Sequence, residues 1–205
     1  MSTFHLMSLH RSGSQMLCTM LNEHPDIACI HETTNFIQNR LHLYRDQIED
    51  IREKTGKPIV VFHHHECFTT DEMLNDEYPN ILLHRADELE AAIDQYNISG
   101  GRPEGLYQHN KERIVEIMQY RITAKERMLA KADLVLEYDN LVKLTNDGET
   151  EFLPQIGQTL FRFLGVTNQR VLARTRAENI TKPKNILELR AYGESIRQLD
   201  SQKRV

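Results

Sequence analysis

The sequence predicts an α/β domain in three layers, a parallel sheet of four or five strands flanked by helices. Three observations predict it. Short apolar runs of strand length recur at about 3–9, 27–30, 58–64, 80–84 and 133–137, and Ile59-Val60-Val61-Phe62 is continuous, as in strands buried on both faces. Between the runs lie stretches with apolar residues three and four apart, the pattern of helices that connect parallel strands. The first run ends in Arg11-Ser12-Gly13-Ser14-Gln15, where a strand turns directly into a helix.

That first turn carries the most chemistry. Met16, Leu17, Met20 and Leu21 have helical spacing, so the backbone N–H groups of the turn and of the first helical turn point at one spot. An anion fits there, and the layout is P-loop-like. Arg11 adds a fixed positive charge, and Ser12 and Ser14 add hydroxyl donors. A helix from Ser14 to Glu23 carries the chain about 15 Å away. His24-Pro25-Asp26 breaks it, and a strand from Asp26 to Ile30 returns the chain by roughly 16 Å. Glu32 is therefore expected at the same sheet edge as Arg11. A carboxylate beside an anion needs a task, and accepting a proton from an attacking nucleophile is one.

The next elements follow in order. Residues 34–54 read as an amphipathic helix ended by Gly56-Lys57-Pro58. The strand after it runs into His63-His64-His65. Alternation puts His63 and His65 on one side and His64 on the other. A metal site would need His31 or His84 to complete it, and no spacing demands one. Polar residues at the solvent end of a strand are one alternative, and catalysis at the sheet edge is another. Residues 69–78 read as a short helix, and Ile81 to His84 as a buried strand ending at Arg85. Ser99 to Pro103 reads as a loop. Residues 106–131 form a long helix with Ile114, Ile117, Met118, Ile122 and Met128 buried and its Lys and Arg residues solvated. A strand at 133–137 and a helix at 152–164, closed by Gly165, complete the domain, with a last helix at 187–199.

Composition narrows the function. The 205 residues make a single domain, 1–205, with a tail from about 180. A net charge of −5 argues against nonspecific nucleic-acid binding, and no run is apolar enough for a membrane span. No signal peptide is legible in residues 1–9. Three cysteines without paired spacing predict reduced thiols and a cytoplasmic setting.

Arg11-Ser12-Gly13-Ser14, then Leu21 to Asp26, then His31-Glu32-Thr33 resembles the 5′-phosphosulfate loop and catalytic Glu of sulfotransferases, nearest to the tyrosylprotein and bacterial carbohydrate branches. The resemblance implies 3′-phosphoadenosine 5′-phosphosulfate (PAPS) as cosubstrate, adenosine 3′,5′-bisphosphate (PAP) as product and no metal. It implies that Arg11, Ser12, Gly13, Ser14 and Gln15 line the phosphosulfate, with Gln15 in place of the usual Thr or Ser. Glu32 falls on the catalytic base. His65 falls on a catalytic His or Lys. Arg85 resembles the 3′-phosphate Arg, and Asp94 stands nine residues on, where the family has Ser. Ser99 is another source of that hydroxyl. Lys182 and Lys184, around Pro183, resemble a Lys-Pro-x-Asn segment that folds over the cosubstrate. The acceptor would be a hydroxyl on a small molecule, a carbohydrate or a peptide. Two alternatives stand beside this: a non-catalytic nucleotide-binding protein of the same fold, and a P-loop kinase or NTPase. The latter lacks the Lys of Gly-x-x-x-x-Gly-Lys-Ser/Thr.

Overall fold

The structure is a computed structural model and describes residues 2–31, 41–67, 69–100, 111–146, 149–167 and 171–173. Its centre is a five-stranded, all-parallel sheet with the order β2-β3-β1-β4-β5. The strands are β1 (Ser2–Ser8), β2 (Ile27–Ile30), β3 (Ile59–His65), β4 (Asn80–His84) and β5 (Leu134–Glu137). Helices α1 (Ser14–Asn22), α2 (Leu41–Thr55), α3 (Asp71–Leu74), α4 (Glu88–Gly100), α5 (Lys111–Leu129) and α6 (Pro154–Leu164) flank it. The predicted three-layer α/β architecture is therefore the observed one.

Strand alternation decides what each face holds. Phe4 and Leu6 of β1, Ile27 and Cys29 of β2, Ile59 and Val61 of β3, and Ile81 and Leu83 of β4 pack with α1 and α6. The opposite face gives Met7 and Leu82 to α3 and α5, and Val60 and Phe62 to α2. Both faces are apolar because helices cover both. Leu6, Leu17, Leu21 and Ile81 are fully buried, and truncating such a side chain to Ala typically costs about 2–5 kcal/mol. Helix α6 ends where Gly165 takes φ 74°, a left-handed cap.

The elements differ from expectation in several places. Helix α3 is one turn, Asp71–Leu74, because Thr70 caps its start by accepting from the Met73 amide and Asn75 ends it. Helix α4 continues through Gly100, so Ser99 is helical rather than in a loop. After β5 the chain makes a single 3₁₀ turn (Tyr138–Asn140). It then enters a small antiparallel sheet, β6 (Val142–Leu144), β7 (Thr150–Phe152) and β8 (Leu172–Ala173), in which Phe152 is a strand residue. Three-residue strands carry too little periodicity to be read from sequence. Residues 32–40, 101–110 and 174–205 lie outside the described residues. The helix expected over 34–54 is observed as α2 from Leu41, its expected first residues lying outside, and the helix expected at 187–199 lies wholly outside. Among the described residues, no helix is long and apolar enough to cross a membrane, and the three cysteines are free.

Helix α5 corrects a charge assignment. Its buried stripe is Ile114, Met118, Arg121, Ala124 and Met128, while Ile122 is 41 % exposed. Arg121, at 0 % exposure, is the largest fully buried side chain described, not a solvated one. Its Nε donates to Glu88 Oε2 at 2.9 Å, and its Nη1 donates to Gln95 Oε1 at 3.1 Å and to the carbonyl of His10. Lys125 also reaches Glu88, at 3.2 Å. One guanidinium thus ties α5, α4 and the end of β1 together.

Removing one partner of a buried ion pair leaves an uncompensated charge, so Arg121→Ala should lower stability by about 3–5 kcal/mol. Urea denaturation would read this as a lower midpoint with an unchanged slope. Arg113→Ala, which removes only an exposed pair with Glu116, should do little. A loss for Arg121→Ala as small as that control would contradict the tie.

Candidate functional site

The carboxyl ends of the parallel strands form one edge, where α/β proteins place their ligands. Between β1 and α1 the chain turns through Leu9 to Gly13. Arg11 takes φ 63° and Gly13 φ 82°, both left-handed, and the Ser12 amide donates to the Leu9 carbonyl at 3.2 Å. For Arg11 this conformation is strained, and such strain gathers at functional sites. Gly13 is the N-cap of α1, no side chain caps it, and the first turn holds no acidic residue. The leading amides of α1 and its positive dipole end therefore face the edge uncovered by any carboxylate of the helix. Arg11 Nε and Ser12 Oγ are buried without a hydrogen-bond partner. Gln15 is exposed and Ser14 buried.

Gly13 is required for a second reason. A Cβ there would lie 2.1 Å from Cε2 of Tyr138, the residue that follows β5. The guanidinium of Arg85, just past β4, lies over the other part of this contact, 5.2 Å from the Tyr138 ring centroid. Arg85 and the Arg11–Gln15 loop thus both approach one aromatic ring, that of Tyr138. Asp139 accepts from the Ala86 amide at 3.1 Å, which fixes the turn after Arg85. Glu88, close to Arg85 in sequence, is engaged by Arg121 and Lys125.

The histidines come together through register. In the β2–β3 ladder Ile27 pairs with Ile59 and Ile30 with Phe62, so the next step sets His31 beside His63. Their rings stack at 4.6 Å with 5° between planes. In the β1–β3 ladder Leu6 pairs with His63 and Ser8 with His65. Ser8 Oγ lies 2.7 Å from His63 Nε2 and 3.4 Å from His65 Nδ1. The His63 and His65 rings meet edge to face at 4.6 Å, and His31 Nε2 reaches Ser14 Oγ of α1 at 3.3 Å. All three histidines of β3 are buried, not at a solvent end as one sequence reading allows. His64 faces the other layer, 3.2 Å from His5 Nδ1. Burial, assisted by the surrounding His65, His31, His64 and His10, holds His63 well below the usual histidine range and hence neutral.

His10 and Glu66 complete the edge. The Glu66 carboxylate accepts from the His10 amide and from His10 Nδ1, each at 2.9 Å. His10 stacks on His65 at 4.0 Å. Burial pushes the Glu66 carboxyl up, but the His10 hydrogen bond and charge outweigh it and leave it below the ordinary value. A cleft of about 420 Å³ opens beside this pair, lined by Cys67, Gln95, Arg113, Glu116, Ile117 and Tyr120 as well.

Of the predicted site residues, the structure brings Arg11, Ser12, Gly13, Ser14, His65 and Arg85 to one edge, with Gln15 exposed on the first turn of α1. Asp94 is on α4, where its side chain is not among those described. Glu32, Lys182 and Lys184 lie outside the described residues, although His31, one residue before Glu32, touches the loop. Sequence reasoning missed Ser8, His10, Glu66, Arg121 and Tyr138. Arg121 was legible, since it falls on the 114–118–121 spacing of the α5 stripe; the others depend on contacts between distant elements. No protein-family model matches the chain, and no curated protein matches it.

Gly13→Ala should be costly for two separable reasons, the left-handed φ and the Tyr138 contact. Strain and overpacking each contribute about 1–3 kcal/mol, so thermal unfolding should fall clearly below the parent. Adding Tyr138→Ala should remove the steric part of the Gly13→Ala effect, leaving a coupling in the double-mutant cycle. Purely additive changes would contradict the contact.

Proposed function

We propose that the chain is a PAPS-dependent sulfotransferase, with the 5′-phosphosulfate seated on residues 11–15. The observation that carries this reading is the turn before α1. It offers uncapped helix amides, Arg11 in a strained left-handed conformation, and two buried donors without partners. An unpartnered buried donor costs about 1–3 kcal/mol, and an anion in the turn is an acceptor that relieves this. Arg85, which lies over the Tyr138 ring, is the cation for the 3′-phosphate, and Asp94 of α4 stands at the family's Ser position, with Ser99 the other source of that hydroxyl. Lys182 and Lys184 bring further charge from the tail.

In this reading the acceptor hydroxyl attacks sulfur. Its O–S bond forms as the bond from sulfur to the 5′-phosphate oxygen breaks, and its proton passes to Glu32. Arg11 and the loop amides neutralise the nonbridging oxygens and the departing phosphate. His65 is the donor for the bridging oxygen. The products are a sulfate ester and PAP, and the step itself needs no metal. The cleft beside His10 and Glu66 offers Gln95, Arg113 and Glu116 among its lining residues to orient a hydroxyl-bearing acceptor. A second reading, a binding protein that keeps the nucleotide site without turnover, is favoured by Asp94 at the family's Ser position. A like charge there weakens a 3′-phosphate contact.

Calorimetry with PAP tests the binding half. Affinity should fall as salt rises. Arg11→Ala should lose on the order of 2 kcal/mol, the value of a charge-assisted contact, with Lys restoring part of it. Binding of ATP without PAP, or PAP binding unchanged in Arg11→Ala, would put the phosphate elsewhere.

A further inference from the structure

We propose that His31, His63 and His65 form a zinc site at the carboxyl edge of the sheet. Ligand nitrogens of these three residues lie within 4.8 Å of one another. His63 and His65 lie on one face of β3, and His31 directly follows the last residue of β2, whose ladder with β3 ends at Ile30 beside Phe62 and so brings 31 next to 63. Backbone hydrogen bonds therefore hold the spacing, not a chance meeting of surface side chains. His63 and His65 are buried and His31 half-buried, so the set opens to solvent on one side. Three imidazoles and one open position is the pattern of zinc sites that keep a coordination place for water or substrate. Imidazole also suits copper, iron and nickel, but this neutral all-nitrogen set with no thiolate or carboxylate fits zinc well.

Ring orientation defines what binding must change. Around a tetrahedral ion with Zn–N bonds of about 2.0–2.1 Å, ligand nitrogens sit about 3.4 Å apart. The present spacing, up to 4.8 Å, must therefore close on binding, with rotation of the rings about their Cβ–Cγ bonds as the route. His31 and His63 now lie parallel, so one of them must tilt and give up the stack. Ser8 Oγ, against both His63 and His65, is placed as the outer hydrogen-bond partner that orients their rings. A competing group, His10 with His65 and Glu66, also has converging atoms. There, however, the carboxylate is already engaged by the His10 ring and amide.

The zinc site rests on the histidine geometry and not on the sulfotransferase reading, but it shares His65 with it. A zinc-bound His65 whose other ring nitrogen faces Ser8 has no N–H left for the bridging oxygen. Where both hold, the ion presents its charge at the edge to which that reading assigns the bridging oxygen.

The test uses the full untagged chain, stripped with chelator and titrated with Zn²⁺ by calorimetry, with Co²⁺ as a visible reporter. The expected result is one ion per chain, with the intense d–d bands of four-coordinate Co²⁺. Loss of an outer hydrogen-bond partner costs about 10–100-fold in metal affinity, so loss of a ligand in His31→Ala should exceed that. His10→Ala should keep the stoichiometry and the bands. His31 is the ligand chosen for substitution because, half-buried, it is the one whose removal disturbs the core least; circular dichroism confirms that the variant folds. No ion bound by the parent, binding retained in His31→Ala, or equal loss in His10→Ala would each overturn the proposal. PAP affinity on the same samples is an independent reading, so failure of one site is distinguishable from failure of the other.

Discussion

The turn from β1 into α1 is fixed from three directions, and the rest of the edge is arranged around it. The backbone of His10 is gripped at both polar atoms: Glu66, just past β3, accepts from its amide, and Arg121 of α5 donates to its carbonyl. Gly13 is pressed against Tyr138 after β5. A left-handed Arg11 between these points is strained by of order 1–3 kcal/mol, and persists because its neighbours over-determine it. The clamp accounts for an expensive choice elsewhere. Burying Arg121 exacts a desolvation penalty that an apolar residue would avoid. The guanidinium is retained there because it holds a backbone carbonyl that an apolar side chain cannot.

The same ladders that build the sheet assemble the histidines. A parallel register offset places 31 beside 63 and 8 beside 65, so strand pairing alone collects Ser8, His31, His63 and His65 on the α1 face. Burial holds His63 neutral, which makes it a poor fixed cation and a good ligand or hydrogen-bond partner. The positive charge at this edge is carried by arginine instead. Arg11 in the loop and Arg85 over the Tyr138 ring supply it.

Much of this was legible in the sequence, for reasons that differ by element. Continuous apolar runs named the five parallel strands to within a residue or two, because strands covered on both faces have no alternative pattern. The turn at 11–15 was visible because strand, glycine and helix follow each other directly. His63 and His65 were assigned to one side and His64 to the other by alternation, and that is how they lie. Their burial was not visible, since it depends on α1 and β2 arriving on one face. The small sheet β6-β7-β8 was missed because its strands are two or three residues long. Tyr138 shapes the loop through a contact across 125 residues that no local pattern encodes.

The central claim is that this edge transfers a sulfuryl group rather than merely holding a nucleotide. Transfer from labelled PAPS to a panel of hydroxyl acceptors, parent beside Glu32→Gln, tests it most directly. Removal of a general base typically costs about 10²–10⁴-fold in rate, while Gln preserves size and polarity. The account predicts turnover by the parent, its collapse in Glu32→Gln, and PAP affinity that holds or rises as a like charge leaves the phosphosulfate. Tight PAP binding by a parent that transfers nothing, or transfer that survives in Glu32→Gln, would contradict it.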